Sequence, residues 1–219
     1  MKKTLVSKTD VISVLLCLLA ILPGLIVYRK LPERIPTHFG LDGEPDGYSS
    51  RAFAVFLIPV LIAAMQALFC VVTRCIRKEE KDGKADRVVK MIMPTLAITL
   101  QMIILLYAMK KLTDITSVFG ILVTLLIMVL GNYLPKVRRN AFYGIRTPHT
   151  LANQELWDRT HRFAGLFSFL TGVFCMIVTV MELPFSLMLV AIAIYVGVPF
   201  LYSEILYRRM KKKTQEEEE

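Results

Sequence analysis

Residues that carry out chemistry are scarce in this sequence. Its 219 residues include three histidines, four cysteines and one tryptophan. It has no H-E-x-x-H, G-x-S-x-G or phosphate-binding P-loop motif, so common signatures of zinc peptidases, serine hydrolases and nucleotide hydrolases are missing. There is no C-x-x-C pair, and the cysteines lie in or beside apolar runs, which argues against a disulfide framework. We therefore predict no catalytic residue, no metal site and no cofactor.

Long apolar runs are abundant instead. Hydrophobic residues make up 55% of the chain, and the mean hydropathy is +0.54. Six runs are long enough to cross a hydrocarbon core of about 30 Å. They cover residues 11–28, 52–72, 91–109, 115–133, 163–181 and 184–202. The runs are apolar all round, as in helices that face lipid or are buried in a bundle. The sequence predicts an all-α integral membrane protein, a bundle of six transmembrane helices.

The distribution of positive charge predicts the orientation. Of 27 lysines and arginines, 21 lie before the first run, between the second and third, between the fourth and fifth, or after the sixth. Cytoplasmic segments near the membrane carry such an excess, so both termini are predicted to be cytoplasmic. The basic clusters are expected to contact anionic lipid headgroups. No folded basic module is evident, and direct binding of nucleic acid is not expected.

The runs divide the chain into predicted segments. Residues 1–90 form a two-span segment with an extracytoplasmic loop at 29–51 and a basic cytoplasmic loop at 73–90. Residues 91–210 form a four-span region, in which residues 131–165 make a long cytoplasmic loop. The charged tail covers residues 211–219.

The first outer loop is rich in proline and glycine, which favour turns over helix, so we expect an extended and locally rigid segment. Its acidic stretch, Asp42-x-Glu44-x-Asp46-Gly47, resembles the start of a calcium-binding loop. The twelfth position of that pattern requires glutamate but is Phe53 here. We interpret the carboxylates as turn residues.

The long cytoplasmic loop has two parts. Its second half predicts a short amphipathic helix beginning near Thr147, Thr150 or Asn153, with Trp157 at the depth of the membrane interface. Its first half, residues 136–146, surrounds an asparagine and a glycine with basic residues. That pattern fits a cradle for a phosphate or lipid headgroup, and it equally fits ordinary cytoplasmic positive charge.

Both loops resemble a known family. The long loop is similar to the signature of the SdpI family in Gly131, Asn132, Pro135, Lys136, Arg138, Asn140, Gly144, Ile145, Arg146, Thr147, Pro148, Trp157, Thr160 and His161. The outer loop, in its Leu31-Pro32 and Ile35-Pro36-Thr37-His38-Phe39 stretches and in Gly43 to Gly47, resembles a small domain of unknown function that often precedes that signature. His149 stands where many members have tryptophan.

The resemblance implies a membrane immunity protein of the bacterial cell membrane, which protects its producer against a secreted killing peptide. It also implies that a DNA-binding autorepressor is held at the inner face when toxin is present. For recognition of the toxin on the outer face, the candidate residues are Pro36, His38, Phe39, Glu44 and Asp46. For the inner face they are Asn132, Pro135, Lys136, Asn140, Gly144, Arg146, Trp157 and His161. The oligomeric state is left open.

The alternative is a small exporter built from an inverted repeat. Leu31-Pro32 precedes Phe39 by the same spacing as Leu134-Pro135 precedes Phe142, and the two segments follow the first and fourth runs. An inverted-topology repeat produces such a pattern on opposite membrane sides. Against it, none of the six runs has an ionisable residue near its centre, where transporters place functional charges.

Overall fold

The computed structural model describes residues 6–40, 43–77 and 83–218. Helices dominate: α1 (Lys8–Leu19), α2 (Ile21–Val27), α3 (Ile58–Arg77), α4 (Lys84–Ala108), α5 (Ile115–Tyr133), α6 (Pro148–Ala152), α7 (Gln154–Val180) and α8 (Phe185–Glu218). Short 3-10 turns cover Tyr28–Lys30 and Leu134–Lys136, and a π-helical turn covers Phe53–Leu57. The strands are β1 (Arg34–Phe39) and β2 (Pro45–Ser50).

In the parts of the chain that the structure describes, six helical segments are long and apolar enough to cross a membrane, so the predicted multi-pass membrane architecture is confirmed. They are Lys8–Lys30, Phe53–Cys75, Lys84–Ala108, Ile115–Lys136, Gln154–Val180 and Phe185–Lys213. The first combines α1 and α2, which are separated at Ala20 because Pro23 has no N–H to donate to the carbonyl four residues earlier. The orientation stays a prediction.

The chain forms two compact units, Met1–Thr116 and Ser117–Glu219. The first contains three spans, and the second contains almost all of the fourth span with the fifth and sixth. The division of the sequence at residue 90 stays a prediction. The two loops predicted to be cytoplasmic are shorter than expected, since α3 continues to Arg77, α4 begins at Lys84 and α7 begins at Gln154. Asp42 lies outside the described residues.

In the first unit, the outer loop is a β-hairpin, which the all-α prediction did not include. β1 pairs antiparallel with β2, with Pro36 opposite Tyr48. Ile35 is fully buried in a cluster with Leu31, Ala54, Val55 and Leu105, which ties the hairpin to the helices. The predicted extended conformation is therefore correct, and contacts with the helices maintain it.

Arg51, directly after β2, closes the base of the hairpin. Its guanidinium donates to the carbonyl oxygens of Tyr28 and Leu31, at 3.1 Å each, and lies 4.6 Å from the centre of the Tyr28 ring. Its backbone N–H donates to the Glu33 carbonyl at 2.9 Å. One side chain thus satisfies carbonyl groups where the first span ends.

In the second unit, small residues bring α5 and α7 into close contact. A Cβ atom on Gly165 would lie 2.7 Å from the Gly131 carbonyl oxygen and 2.7 Å from the Pro135 ring. Small residues permit such close approach of backbones between membrane helices, where dispersion rather than the hydrophobic effect drives association. This contact places the start of the predicted cytoplasmic loop directly against the fifth span.

Pro94 interrupts the hydrogen bonding of α4 and is compensated by a side chain from α3. Proline has no N–H, so the carbonyl of Lys90, four residues earlier, loses its helical donor. The buried Gln66 amide donates to that carbonyl at 2.9 Å and to the Ser13 hydroxyl at 2.8 Å. Inside a membrane, where water cannot provide the missing bond, the Gln66 amide takes the place of the helical donor.

We expect Gln66→Ala to lower the free energy of unfolding by about 1–3 kcal/mol, because it leaves a buried carbonyl without a donor. In a Pro94→Ala background the restored N–H can serve the Lys90 carbonyl, so the same substitution should cost clearly less. Denaturant unfolding in detergent micelles measures both costs, and Gln154→Ala on an exposed surface serves as the control. Equal costs in the two backgrounds would contradict this account.

Candidate functional site

The outer candidate residues lie together on the hairpin of the first unit, but they are not equally accessible. Pro36 is buried, Phe39 is half-buried, and His38, Glu44 and Asp46 are exposed. His38 Nδ1 lies 2.5 Å from a carboxylate oxygen of Asp46 across the strands. Phe39 packs edge-on against Tyr107, with ring centres 5.1 Å apart. Pro36 and Phe39 therefore position the hairpin, and the three polar residues are part of its exposed surface.

On the predicted inner face, Asn140 organises the loop of the second unit. Its side-chain oxygen accepts from the N–H groups of Phe142 and Tyr143, at 2.8 and 2.9 Å. Its amide donates to the carbonyls of Arg138 and Tyr143. These bonds close a tight turn that has no helical hydrogen bonds of its own. Asn140 is thus used in shaping the loop.

Trp157 and His161 form the buried base on which that loop rests. Their rings stack with centres 4.0 Å apart, and both side chains are at most 1% exposed. The Trp157 indole donates to the Val137 carbonyl at 2.9 Å, and His161 Nε2 accepts from the Ile145 N–H at 3.1 Å. Because Nε2 accepts, Nδ1 carries the proton and donates to the Trp157 carbonyl at 2.8 Å. The loop covers the Trp157 ring, so the ring faces the protein rather than lipid. The depth of Trp157 in the membrane stays a prediction.

Gly144 lies directly above these rings. Its φ of +109° is in the region that favours glycine. A Cβ atom there would come within 2.5 Å of His161 Nε2 and 3.1 Å of the Trp157 ring. The glycine is therefore required both by the backbone and by the space above the rings.

The remaining inner candidates line the outside of the loop. Asn132, Pro135, Lys136 and Arg146 are exposed. Lys136 Nζ donates to the Asn132 side chain at 3.3 Å and lies over the Tyr133 ring, while Arg146 donates to the Ala141 carbonyl at 2.7 Å. These weak surface contacts leave both cations accessible to an anionic or acidic ligand.

Helix α6 connects this loop to α8 through Thr147 and His149, for which the sequence interpretation predicted no such contacts. Thr147 caps α6 and its hydroxyl lies 3.2 Å from that of Ser203. His149 stacks on Tyr207 at 3.6 Å and approaches the Glu204 carboxylate at 3.5 Å. The predicted amphipathic helix begins at Gln154, capped by Asn153, and continues into the fifth span without interruption.

A buried ionic cluster in the first unit was missed by the sequence interpretation. Ser7 caps α1, and its N–H donates to the Asp10 carboxylate at 2.8 Å. The same carboxylate accepts from Lys90 Nζ at 2.6 Å and from Arg74 Nε at 3.0 Å. Asp10 and Lys90 are 3% and 4% exposed. The prediction that Arg74 and Lys90 belong to a headgroup-contacting loop is wrong for these two residues, because both turn inward to one carboxylate. The cluster joins the ends of α1, α3 and α4.

Within the described parts of the chain, no three histidine, cysteine, aspartate or glutamate side chains converge on a position that could hold a metal ion.

Comparisons with known proteins agree with the two loop resemblances. The SdpI/YfhL protein family matches residues 136–203, and a Domain of unknown function (DUF1648) matches residues 15–63. The chain is 26% identical to the "Immunity protein SdpI" of Bacillus subtilis (strain 168) over 199 residues, which cover 86% of this chain and 95% of that protein. It is 38% identical to an "Uncharacterized protein" of Archaeoglobus fulgidus over 50 residues, which cover 23% of this chain and 27% of that one. No solved structure matches.

We expect Asp10→Ala to lower the free energy of unfolding by about 3–5 kcal/mol, because it leaves the Lys90 ammonium buried without this carboxylate. Adding Lys90→Met should recover most of the loss. Glu155→Ala, which removes an exposed pair with Arg159, is the control and should cost less than about 1 kcal/mol. Unfolding in detergent provides the measurement, and a double variant as unstable as Asp10→Ala would refute the pairing.

Gly144→Ala should lower the free energy of unfolding by about 2 kcal/mol or more, because it strains the backbone and pushes against His161 and Trp157. Gly197→Ala is the matched control: a Cβ atom there meets no atom within 4 Å, so alanine in α8 should be neutral or stabilising. Trp157 is the sole tryptophan, and its fluorescence should shift to longer wavelength only in the Gly144 variant. Equal effects at the two glycines would contradict this interpretation.

Proposed function

Because the chain belongs to the SdpI/YfhL protein family, we propose that it is an immunity protein of the bacterial cell membrane that gives resistance to a secreted antimicrobial peptide. The observation that supports this most is the similarity to an immunity protein along nearly the entire length of both chains. The role proposed for it is binding, and the chain carries out no reaction on the peptide.

The hairpin is the element we assign to recognition of the peptide. It is held to the first unit through Ile35, Phe39 and Arg51, while His38, Glu44 and Asp46 stay exposed. A surface that is already ordered loses little conformational entropy when a ligand binds, which favours affinity. The charge distribution predicts that this surface faces outward, where a secreted peptide arrives.

The inner loop is the element we assign to a cytoplasmic protein, a DNA-binding autorepressor held at the membrane when the peptide is bound. Its exposed cations, Arg138, Arg139 and Arg146, surround a rigid turn. Such a surface can attract an acidic partner and fix its orientation. Coupling the two faces would require two arrangements of the helices that differ in affinity for each ligand.

An exporter built from an inverted repeat is the second candidate. Three spans in each compact unit is the number that such a repeat requires. However, the hairpin follows the first span, while a 3-10 turn, an irregular loop and α6 follow the fourth. The shared Leu-Pro to Phe spacing therefore has no shared local structure, and the exporter ranks second.

Expression of the wild-type chain should raise the survival of bacteria that are sensitive to a purified killing peptide. The double variant Glu44→Ala/Asp46→Ala should lose much of this protection. His38 and Asp46 are more than half exposed, so removing their pair should cost less than about 1 kcal/mol of stability. Loss of protection would then reflect recognition.

Arg146→Ala is the matched variant on the inner face and should still protect, because its predicted role concerns the cytoplasmic partner. Membrane levels are equalised by immunoblot. Wild-type chain that reaches normal levels but protects against none of several related peptides would refute the immunity proposal. Protection that disappears when the proton gradient is collapsed would favour export.

A further inference from the structure

A groove of about 470 Å³ lies between the hairpin and the end of α4, within the first unit. Pro32, Arg34 and Pro36 line it at alternate positions along the chain into β1, and Tyr48 stands opposite Pro36 on β2. Tyr107 and Lys110, from the end of α4 and the turn after it, also line the groove. Its volume falls in the range of about 300–1,000 Å³ that is typical of clefts for small ligands.

The lining has the chemistry of a peptide-binding surface. Pyrrolidine and phenol rings offer flat apolar faces, and the phenol hydroxyls can hydrogen-bond to backbone groups of an extended ligand. Grooves lined by aromatic rings are a recurring means of binding short extended peptides. A lipid acyl chain has no polar group that could use these hydroxyls.

The groove also carries two cations suited to a carboxylate. Arg34 and Lys110 are exposed, and neither has an ion pair with any residue that the structure describes. Lys110 has a φ of +56° at the end of α4, where its N–H donates to the Tyr107 carbonyl at 2.9 Å. This helix-ending turn sets the position of the lysine backbone. A guanidinium and an ammonium together favour a ligand with a localised negative charge.

We propose that this groove binds a short peptide segment that carries a carboxylate, either at its C-terminus or on an acidic side chain. The peptide lies against the proline and tyrosine rings, and its carboxylate lies between Arg34 and Lys110. That the natural ligand is the secreted antimicrobial peptide rests on the proposed function; the binding chemistry does not.

The test uses the full-length chain in nanodiscs of neutral phosphatidylcholine and three dansyl-labelled peptides. The first is Leu-Pro-Tyr-Leu with a free C-terminal carboxylate, and the second is the same peptide with a C-terminal amide. The third is Leu-Pro-Tyr-Glu with a C-terminal amide, so that its carboxylate is on the glutamate side chain. Fluorescence anisotropy, corrected with empty nanodiscs, should give about tenfold tighter binding of the first or third peptide than of the second. Which of the two binds tighter identifies the source of the carboxylate.

Arg34→Ala/Lys110→Ala should reduce that preference to less than about twofold. Lys111→Ala is the matched control, since Lys111 is an exposed neighbour that does not line the groove; it should keep the preference. Equal affinity for the three peptides, retention of the preference in the double variant, or no binding at about 1 mM peptide would overturn the proposal.

A lipid headgroup is the other anion to consider. Binding of short-chain phosphatidylglycerol that depends on both cations, together with equal affinity for acid and amide peptides, would assign the groove to lipid and overturn the peptide proposal. Survival of peptide-treated cells is scored separately. A chain that protects but shows no carboxylate preference rejects only the groove, and one that shows the preference but does not protect rejects only the immunity proposal.

Discussion

The structure of the first unit depends on satisfying both polar ends of one residue, Lys90, inside a membrane protein. Its ammonium pairs with Asp10, and its carbonyl, deprived of a helical donor by Pro94, accepts from Gln66. Each polar group left unsatisfied in hydrocarbon would cost several kcal/mol. Because Asp10 lies in the first turn of the first span and Gln66 lies in the second span, these two contacts join three helices. The hairpin extends from the other end of this arrangement.

In the second unit, buried side chains order the irregular loop of residues 137–147. The buried rings of Trp157 and His161 hydrogen-bond to the loop backbone. Asn140 closes the turn of the loop, and Gly144 fits the space above the two rings. Most of the family signature is thus explained by folding of the loop. Folding of the loop does not explain its exposed positive charge. A partner that binds this surface would recognise basic side chains held on an ordered loop.

Hydropathy alone predicts the six spans, since each run exceeds the length that a bilayer demands. Proline and glycine likewise predict an extended outer loop. The pairing of its strands depends on Ile35 and on helix contacts far away in the chain, which a short loop sequence does not reveal. Arg74 and Lys90 were assigned to the membrane surface because charges at the ends of apolar runs usually reach headgroups, and Asp10 was not singled out. Tryptophans near run ends commonly lie at the interface, but this tendency does not reveal that the loop covers the Trp157 ring.

One signal was present in the sequence and went unused. A proline inside an apolar run deprives a known carbonyl of its donor, so a nearby buried amide is its natural replacement. Pro94 and Gln66 fit this description. Without Gln66, the Lys90 carbonyl lacks a donor; without Pro94, the Gln66 amide keeps its bond to Ser13 but competes with a helical N–H for that carbonyl. We therefore expect selection on one position to depend on the other. Among relatives, the two positions should be gained and lost together, and their covariation would record a contact between the second and third spans that neither hydropathy nor charge can show.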